Sequence, residues 1–420
     1  MARRGAVAAL AIALGAGAGC NPTNPTPAPV VFQCQIRCAD NDEFGFNGTL
    51  HMTTRTGGGV AGTWAAWTSD PDVRPFPDDV DTATSSLDHE AYVAFTLGGA
   101  GPPIGPVPRP GIGDIAFIRI AADGSVRGPI LVPPPQFLNR PFPRDGFGRL
   151  STAVVNSRLR ICAVARDDLW IETRDRTADL PDGTPDDRIF RAQWARPEDS
   201  IGDRDVVDVG CAASFNAATG QEDLHVLAVT RSGQLLRTVS PGERSLSSWS
   251  AWEDVEGSLG RDLGVVRHVD AASRPNRTQL AVVASTEDGR AWYLDNRSSW
   301  QPPRDIVAGV NATTSPFSTI VAVGEISASF CDAEVPPRLG SEHDWELNIV
   351  LENRDRTMLL HTILAGASTA WGPGPGGVVP SPSLWKPFTQ LLTATGKRRL
   401  HPPGVGEFPV PTAVGPVPGT

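Results

Sequence analysis

The 420-residue chain carries 37 Lys and Arg against 47 Asp and Glu, a formal net charge of −10, so it lacks the basic balance a nucleic-acid-binding face requires. Gly 43 and Pro 39 together make about a fifth of the residues, which excludes a fold built on long helices and favours many turns. Hydrophobic residues at 40% suffice for a large core, and Lys386 and Lys397 are the only lysines.

The chain opens with Arg3 and Arg4, followed by an Ala-rich apolar run of 14 residues from Gly5 to Ala18. That run is short of the roughly 20 apolar residues a membrane-spanning helix needs and matches the core of an export signal. It ends in Gly17-Ala18-Gly19-Cys20, then a polar, Pro-rich stretch. The arrangement resembles a bacterial lipoprotein signal, with small residues before one cysteine that becomes the lipidated N-terminus. The resemblance implies a signal over 1–20, lipidation at Cys20, a tether over 21–29 and a membrane-anchored protein of the cell envelope, periplasmic or on the surface. Cleavage after Ala18 by an ordinary signal peptidase is the alternative and gives a secreted protein.

With Cys20 set aside, Cys34, Cys38, Cys162, Cys211 and Cys331 remain. An odd number leaves at least one thiol free or paired elsewhere, and spacing does not fix the pairing. Val30, Phe32, Cys34, Ile36 and Cys38 alternate onto one strand face, which holds those two sulfurs apart on a straight strand. No Cys-x-x-Cys occurs, so a zinc or thiol-redox site has no support.

From residue 30 to 395 short apolar strands recur around tight turns. The first copy reads Val30–Cys38, an Asn47-Gly48 turn, Leu50–Arg55 and Thr63–Trp67; the second reads Tyr92–Leu97, Ile115–Ile120, Asp123-Gly124 and Val126–Val132. A third has Leu159–Arg166, Asp167-Asp168, Leu169–Thr173 and Phe190–Trp194. The clearest has Val206–Ser214, Asp223–Arg231, a Ser232-Gly233 turn, Gln234–Val239 and Ser248–Val255. It is followed by Val265–Ala272, Gln279–Ser285, Asp288-Gly289, Arg290–Leu294 and a strand opening at Trp300. The last has Ile320–Cys331, Trp345–Leu351, a turn near Asp355-Arg356, Met358–Leu364 and Trp371. Asn-Gly, Asp-Gly and Ser-Gly between apolar runs are strong hairpin signals, because two-residue loops need positive φ. Four strands per copy predict an all-β fold, a β-propeller of six blades (seven next) of four antiparallel strands. The first copy has no clear opening strand, and Trp385–Ala394 has no blade of its own, so a terminal strand is expected to close the ring. Residues 396–420 read as a Pro/Gly-rich tail.

Trp64-Ala-Ala-Trp67 and Trp249-Ser-Ala-Trp252-Glu-Asp-Val-Glu-Gly share a Trp-x-x-Trp pattern. The second resembles the Trp-Ser-x-Trp-x-x-Leu-Gly-Gly strand of propeller lectins that bind fucosylated or methylated sugars, with Val255-Glu256-Gly257 in place of Leu-Gly-Gly. Glu287-Asp288-Gly289-Arg290-Ala291-Trp292 is similar to the turn and aromatic strand of the same family. Ser285 to Trp292 also resembles, loosely, the Asp-box of sialidases, which is a structural motif. The lectin resemblance implies a carbohydrate-binding module with several similar sites.

Eleven Trp stand against two Tyr. Indole faces stack on sugars, so Trp64, Trp67, Trp249, Trp252, Trp292 and Trp300 are the ligand-binding candidates. The competing reading is that each wedges between blades as core. Alternation along a strand would put the two rings of Trp-x-x-Trp on opposite faces. The cluster Asp175, Asp179, Asp182, Asp186 and Asp187 has oxygen ligands of the kind calcium takes but lacks the alternating spacing of a calcium loop, and no cofactor or metal is expected. The seven histidines show no ligand spacing, and no nucleophile, phosphate-loop or zinc-protease motif occurs.

Three readings follow. The first is a lectin-like module, and the second an envelope protein–protein interaction scaffold. The third is a propeller glycoside hydrolase or lyase, which predicts one acidic pocket on the axis. The expected partners are a glycan or an envelope protein, with a membrane held through a lipid anchor, no nucleic acid, and a monomeric chain.

Overall fold

The computed structural model describes residues 33–40, 49–56, 63–64, 68–69, 77–84, 91–97, 114–120, 126–132, 147–156, 158–165, 168–176, 190–195, 205–242, 248–273, 278–311, 322–332, 345–354, 358–364, 385–391 and 412–416. Cys20, the tether and Trp67 lie outside them.

The N-terminal strands are Gln33–Asp40 (β1), Thr49–Thr56 (β2), Thr63–Trp64 (β3) and Thr68–Ser69 (β4). Next come Pro77–Thr84 (β5), Ala91–Leu97 (β6), Ile115–Ile120 (β7) and Val126–Val132 (β8). They are followed by Arg149–Val155 (β9), Arg158–Ala165 (β10), Asp168–Arg176 (β11) and Phe190–Ala195 (β12). Val206–Asn216 (β13), Gln221–Thr230 (β14), Leu235–Ser240 (β15) and Glu253–Asp254 (β16) lead into a short helix, Val255–Leu259 (α1). Val266–Ser273 (β17), Leu280–Thr286 (β18), Ala291–Asn296 (β19) and Arg304–Asp305 (β20) lead likewise into Ile306–Asn311 (α2). Val323–Asp332 (β21), Trp345–Asn353 (β22), Leu359–Leu364 (β23), Thr389–Gln390 (β24) and Thr412–Pro416 (β25) complete the chain.

Five of the sheets are antiparallel four-stranded blades: β5–β8, β9–β12, β13–β16, β17–β20 and β21–β24. The first strands β5, β9, β13, β17 and β21 pack side by side around an axis, and β25 fills the gap between β21 and β5. The fold is an all-β propeller. The expectation of six, or seven, four-stranded blades is corrected to five, because the N-terminal copy does not form one. Its sheet has five strands: β25 pairs with β1, β1 with β2, and the two-residue strands β3 and β4 both pair with β2.

Three further boundaries differ from the sequence reading. The copies containing Tyr92–Leu97 and Leu159–Ala165 each have an earlier strand, β5 and β9, next to the axis. The last blade takes its fourth strand from Thr389–Gln390 rather than from Trp371. The strand that joins the two ends of the chain is β25, within residues 396–420, pairing Ile36 with Val414 and Cys38 with Thr412.

Both faces of each central strand are covered by neighbouring blades, so these strands read as continuous apolar runs rather than alternating ones. All seven residues of β18 are buried. The core is accordingly a set of wedges between blades. Val226, Ala228 and Leu236 pack with Cys162, Leu169 and Ile171 of the preceding blade, while Leu227, Val229 and Leu235 pack with Val282, Ala284 and Trp292 of the following one. No helix among the described residues is long and apolar enough to cross a membrane.

The hairpin tips lock onto the next blade. Gly233 and Gly289 both sit at φ +86°, and their carbonyls accept the amides of Val266 at 3.0 Å and Val323 at 2.8 Å. A Cβ on Gly289 would meet Ala322 Cβ at 2.4 Å and Ala322 Cα at 2.6 Å. Left-handed strain and a backbone clash therefore act together. Gly289→Ala is expected to cost about 2–4 kcal/mol in a denaturant titration followed by circular dichroism; an unchanged midpoint would show that the tip does not hold the blades together.

Candidate functional site

Two constellations of charged side chains stand out, one on the axis and one between blades. The axial one arises from a tripeptide repeated at the start of the inner strands: Asp79-Val80-Asp81, Arg149-Leu150-Ser151, Asp208-Val209-Gly210, His268-Val269-Asp270 and Glu325-Ile326-Ser327. In an extended strand the outer two side chains of such a triplet share a face while the middle one turns away. The triplets surround a cavity of about 30 Å³ lined by Asp79, Asp81, Arg149, Asp208, Asp270 and Glu325 among others.

An inner strand has one edge without a ladder partner, so its amides need another acceptor. The preceding blade supplies it. Leu150 N–H donates to Asp79 Oδ2 at 2.7 Å and Thr152 N–H to Asp81 Oδ2 at 2.5 Å. Cys211 N–H donates to Ser151 Oγ at 2.9 Å. Val269 N–H donates to Asp208 Oδ2 at 3.0 Å, and Ala328 N–H to Asp270 Oδ2 at 2.8 Å. Gly210 takes the place of a polar side chain because a Cβ there would lie 3.1 Å from Asp270 Cα.

The first tier also forms an ion-pair ring. Arg149 Nη1 lies 2.7 Å from Glu325 Oε1 and 3.8 Å from Asp79 Oδ1. His268 Nδ1 stands 3.4 Å from both Asp208 Oδ2 and Glu325 Oε2. Burial pushes the Asp79 carboxyl well above the usual range, with the Arg149 charge pulling against it. Burial likewise pushes Asp81 up to about 6. Asp270 is raised well above its ordinary value, first by burial and then by the nearby Asp81 charge. For His268, burial favours the neutral ring, but Glu325 and Asp208 outweigh it and hold the pKa above its ordinary value.

This is an acidic pocket on the axis, as the hydrolase reading expected, yet its carboxylates are occupied by strand amides. Its 30 Å³ accommodates about one water molecule, whereas small-molecule pockets run to roughly 300 Å³ or more. No sugar ring fits. Among the described residues no group of three His, Cys, Asp or Glu is arranged to hold a metal ion. Of the Asp cluster, only Asp175 falls in a described strand, β11, and the other four lie outside.

The second constellation lies between the β13–β16 and β17–β20 blades. Arg237 on β15 stands opposite Glu253 on β16, with Nη1 and Oε2 3.3 Å apart. Trp300, from the next blade, donates its indole N–H to Glu253 Oε1 at 2.8 Å and carries the Arg237 guanidinium 5.4 Å from its ring centroid. Glu253 keeps 34% of its side-chain surface exposed and Arg237 15%. Arg237 Nε is buried and has no hydrogen-bond partner among the described residues. Burial lowers the Arg237 pKa, opposed by the Glu253 charge.

The same position one blade on is filled differently. Tyr293 stands opposite Arg304, and Trp385 meets Tyr293 edge-on at 6.3 Å between centroids, with both rings buried. Trp249, Trp300 and Trp385 are equivalent, since the residue after each donates its amide to the third strand, at 2.8, 2.8 and 2.9 Å.

The six Trp candidates thus separate. Trp300 belongs to the polar cluster. Trp292 is core, 3% exposed, with its indole N–H donated to the Leu263 carbonyl at 3.0 Å. Trp249 and Trp252 are half-buried against the same inter-blade core, not on opposite faces, because 248–252 is not a strand and period-two alternation does not apply. Trp64 lies on β3, its backbone opposite Arg55, and Trp67 lies outside the described residues. The axial residues were missed because Asp79 and Arg149 open strands that the repeat reading omitted. The usable signal was the polar–apolar–polar triplet recurring at each strand start.

No protein-family model matches the chain, and no curated relative matches it. Among solved structures it is similar to AofleA from Arthrobotrys oligospora, with 11% identity over 93% of this chain and 91% of that one, TM-score 0.47. It is also similar to the BP39L lectin from Burkholderia pseudomallei, with 15% identity over 81% and 94%, TM-score 0.46. A third likeness is to the fucose-specific lectin from Aleuria aurantia, with 10% identity over 76% and 80%, TM-score 0.43.

The axial carboxylates set a pH dependence. Unfolded Asp ionises near pH 4, at about 3.9, whereas folded Asp81 keeps its proton up to about 6. Between those values the folded state binds more protons, so this contribution is full below about pH 4 and lost as pH rises through 6. Raised His268 adds a loss in the same direction above about pH 6.5. Stability by urea titration is therefore expected to be greater near about pH 5 than near about pH 7.5, with about 1–1.5 kcal/mol from Asp81. The slope should flatten in Asp81→Asn, and a profile that rises with pH would contradict the assignment.

Proposed function

We propose that the chain is a carbohydrate-binding propeller that recognises sugar hydroxyls at the Arg237–Glu253–Trp300 cluster. The observation that carries this reading is the half-buried Arg237 guanidinium, whose buried Nε has no hydrogen-bond partner among the described residues, beside a part-exposed carboxylate and an indole wall. Adjacent sugar hydroxyls each donate and accept. A vicinal pair can take the guanidinium donors and give protons to Glu253, while the C–H face of the ring lies against the indole. Leaving a buried donor unsatisfied costs about 1–3 kcal/mol, which a ligand hydroxyl or a water recovers. The axial cavity, at about 30 Å³, holds about one water molecule.

The reading includes export and lipid anchoring through Cys20, supported by Arg3-Arg4, the Gly5–Ala18 run and the small residues before Cys20. A lipid-anchored module of this kind would hold glycans at the cell envelope. Loss of acyl labelling in Cys20→Ser is the corresponding check.

The test is a glycan-array screen of the chain from residue 21, followed by titration of the strongest hit. Saturable binding to a narrow sugar set is expected, weakened at least about tenfold, or 1.4 kcal/mol, in both Arg237→Ala and Glu253→Gln. The exposed-turn variant Glu287→Gln should bind as the parent does. A blank array with folded protein would reject the lectin reading and favour the envelope scaffold, which crosslinking on the cell surface then addresses.

A further inference from the structure

We infer that Cys162 and Cys211 form an inter-blade disulfide when the chain folds in an oxidising compartment, a cross-link between the β9–β12 and β13–β16 blades. Both residues are thiols in the structure, 0% and 1% exposed, within one apolar wedge. Two geometric relations place them face to face. Cys162 stands directly opposite Ser151 in the β9–β10 ladder, and Ser151 Oγ accepts the Cys211 amide at 2.9 Å. Ladder partners lie about 4.5–5.5 Å apart at Cα, so Cys211 comes within reach of the spacing a disulfide needs. The neighbouring Cys162 thiol also contributes to the raised Cys211 pKa.

This pairing resolves what cysteine counting left open. Cys34 and Cys38 share one strand four residues apart, and Cys331 belongs to β21, which packs against β17 and β25 rather than against the strands of the β9–β12 or β13–β16 blades. The inference does not depend on the sugar site.

The chemistry balances with a small-molecule disulfide as oxidant. A thiolate from one cysteine attacks that disulfide and releases one thiol. The second cysteine, as thiolate, then attacks the mixed disulfide and releases the other. Two protein thiols are oxidised, one disulfide is reduced to two thiols, and the two protons are carried off on them. Burial holds the Cys211 thiol well above its ordinary pKa, so the folded interface resists oxidant and the bond forms while the blades are still opening and closing.

The experiment refolds the full chain in a mixture of reduced and oxidised glutathione, alkylates residual thiols, and maps tryptic peptides without reduction. A peptide joining Ile161–Arg166 to Asp205–Arg231 is expected, with a thermal midpoint about 5 °C or more above that of the chain refolded with reductant. In Cys211→Ser the linked peptide should vanish and Cys162 should be alkylated. Recovery of both cysteines in alkylated form from folded, oxidant-refolded protein overturns the inference, as does a linked peptide joining either of them to Cys34, Cys38 or Cys331.

Discussion

The fold depends on one recurring hydrogen bond, from an amide of each of the inner strands β9, β13, β17 and β21 to a side chain of the blade before it. Asp79 and Asp81, Ser151, Asp208 and Asp270 supply the acceptor at successive interfaces. A strand edge facing the axis cannot reach bulk water freely and has no ladder partner, so each unmet amide there would cost about 1–3 kcal/mol. A carboxylate is a strong acceptor for that role, but burying several together raises their proton affinity. Arg149 and His268, set among Asp79, Asp208 and Glu325, offset part of the repulsion. The axis is thus a stapled column rather than a mouth.

Beyond the axis, the second charged cluster among the described residues lies at a seam between blades. The seams are mostly apolar wedges, and Trp249, Trp300 and Trp385 occupy one repeated position at three of them. How deeply that Trp sits turns on the two residues beneath it. Tyr293 and Arg304 let Trp385 sink into the core, whereas Arg237 and Glu253 hold Trp300 half-buried through its indole N–H. A polar pair at a seam costs burial energy unless its hydrogen bonds are met. The open donor on Arg237 is where that demand is unmet among the described residues, which is the basis of the proposed sugar site.

Much of the architecture was readable from the chain. The hairpin signals at Ser232-Gly233 and Asp288-Gly289 located turns that the structure places at positive φ, and the apolar runs after Val206 and Val265 correspond to β13 and β17. Strands opening with charged residues were not readable in the same way. Pro77–Thr84 and Arg149–Val155 carry Asp and Arg on the axial face, so a search for apolar runs passes over them. The Trp count pointed to rings of one kind, although Trp292 and Trp300 differ in burial for reasons that lie on neighbouring strands.

The sequence by itself determined the class of fold: period, turn chemistry and Gly/Pro content are local, and they specify short antiparallel strands in repeated copies. Only the tertiary structure decided the number of four-stranded blades, the joining of Thr412–Pro416 to β1, and which carboxylates meet on the axis. Those outcomes depend on pairings between residues some sixty or more positions apart, such as Asp79 with Leu150 and Asp208 with Val269. No local pattern encodes them, because each is set by which amide is left unpaired once the ring closes.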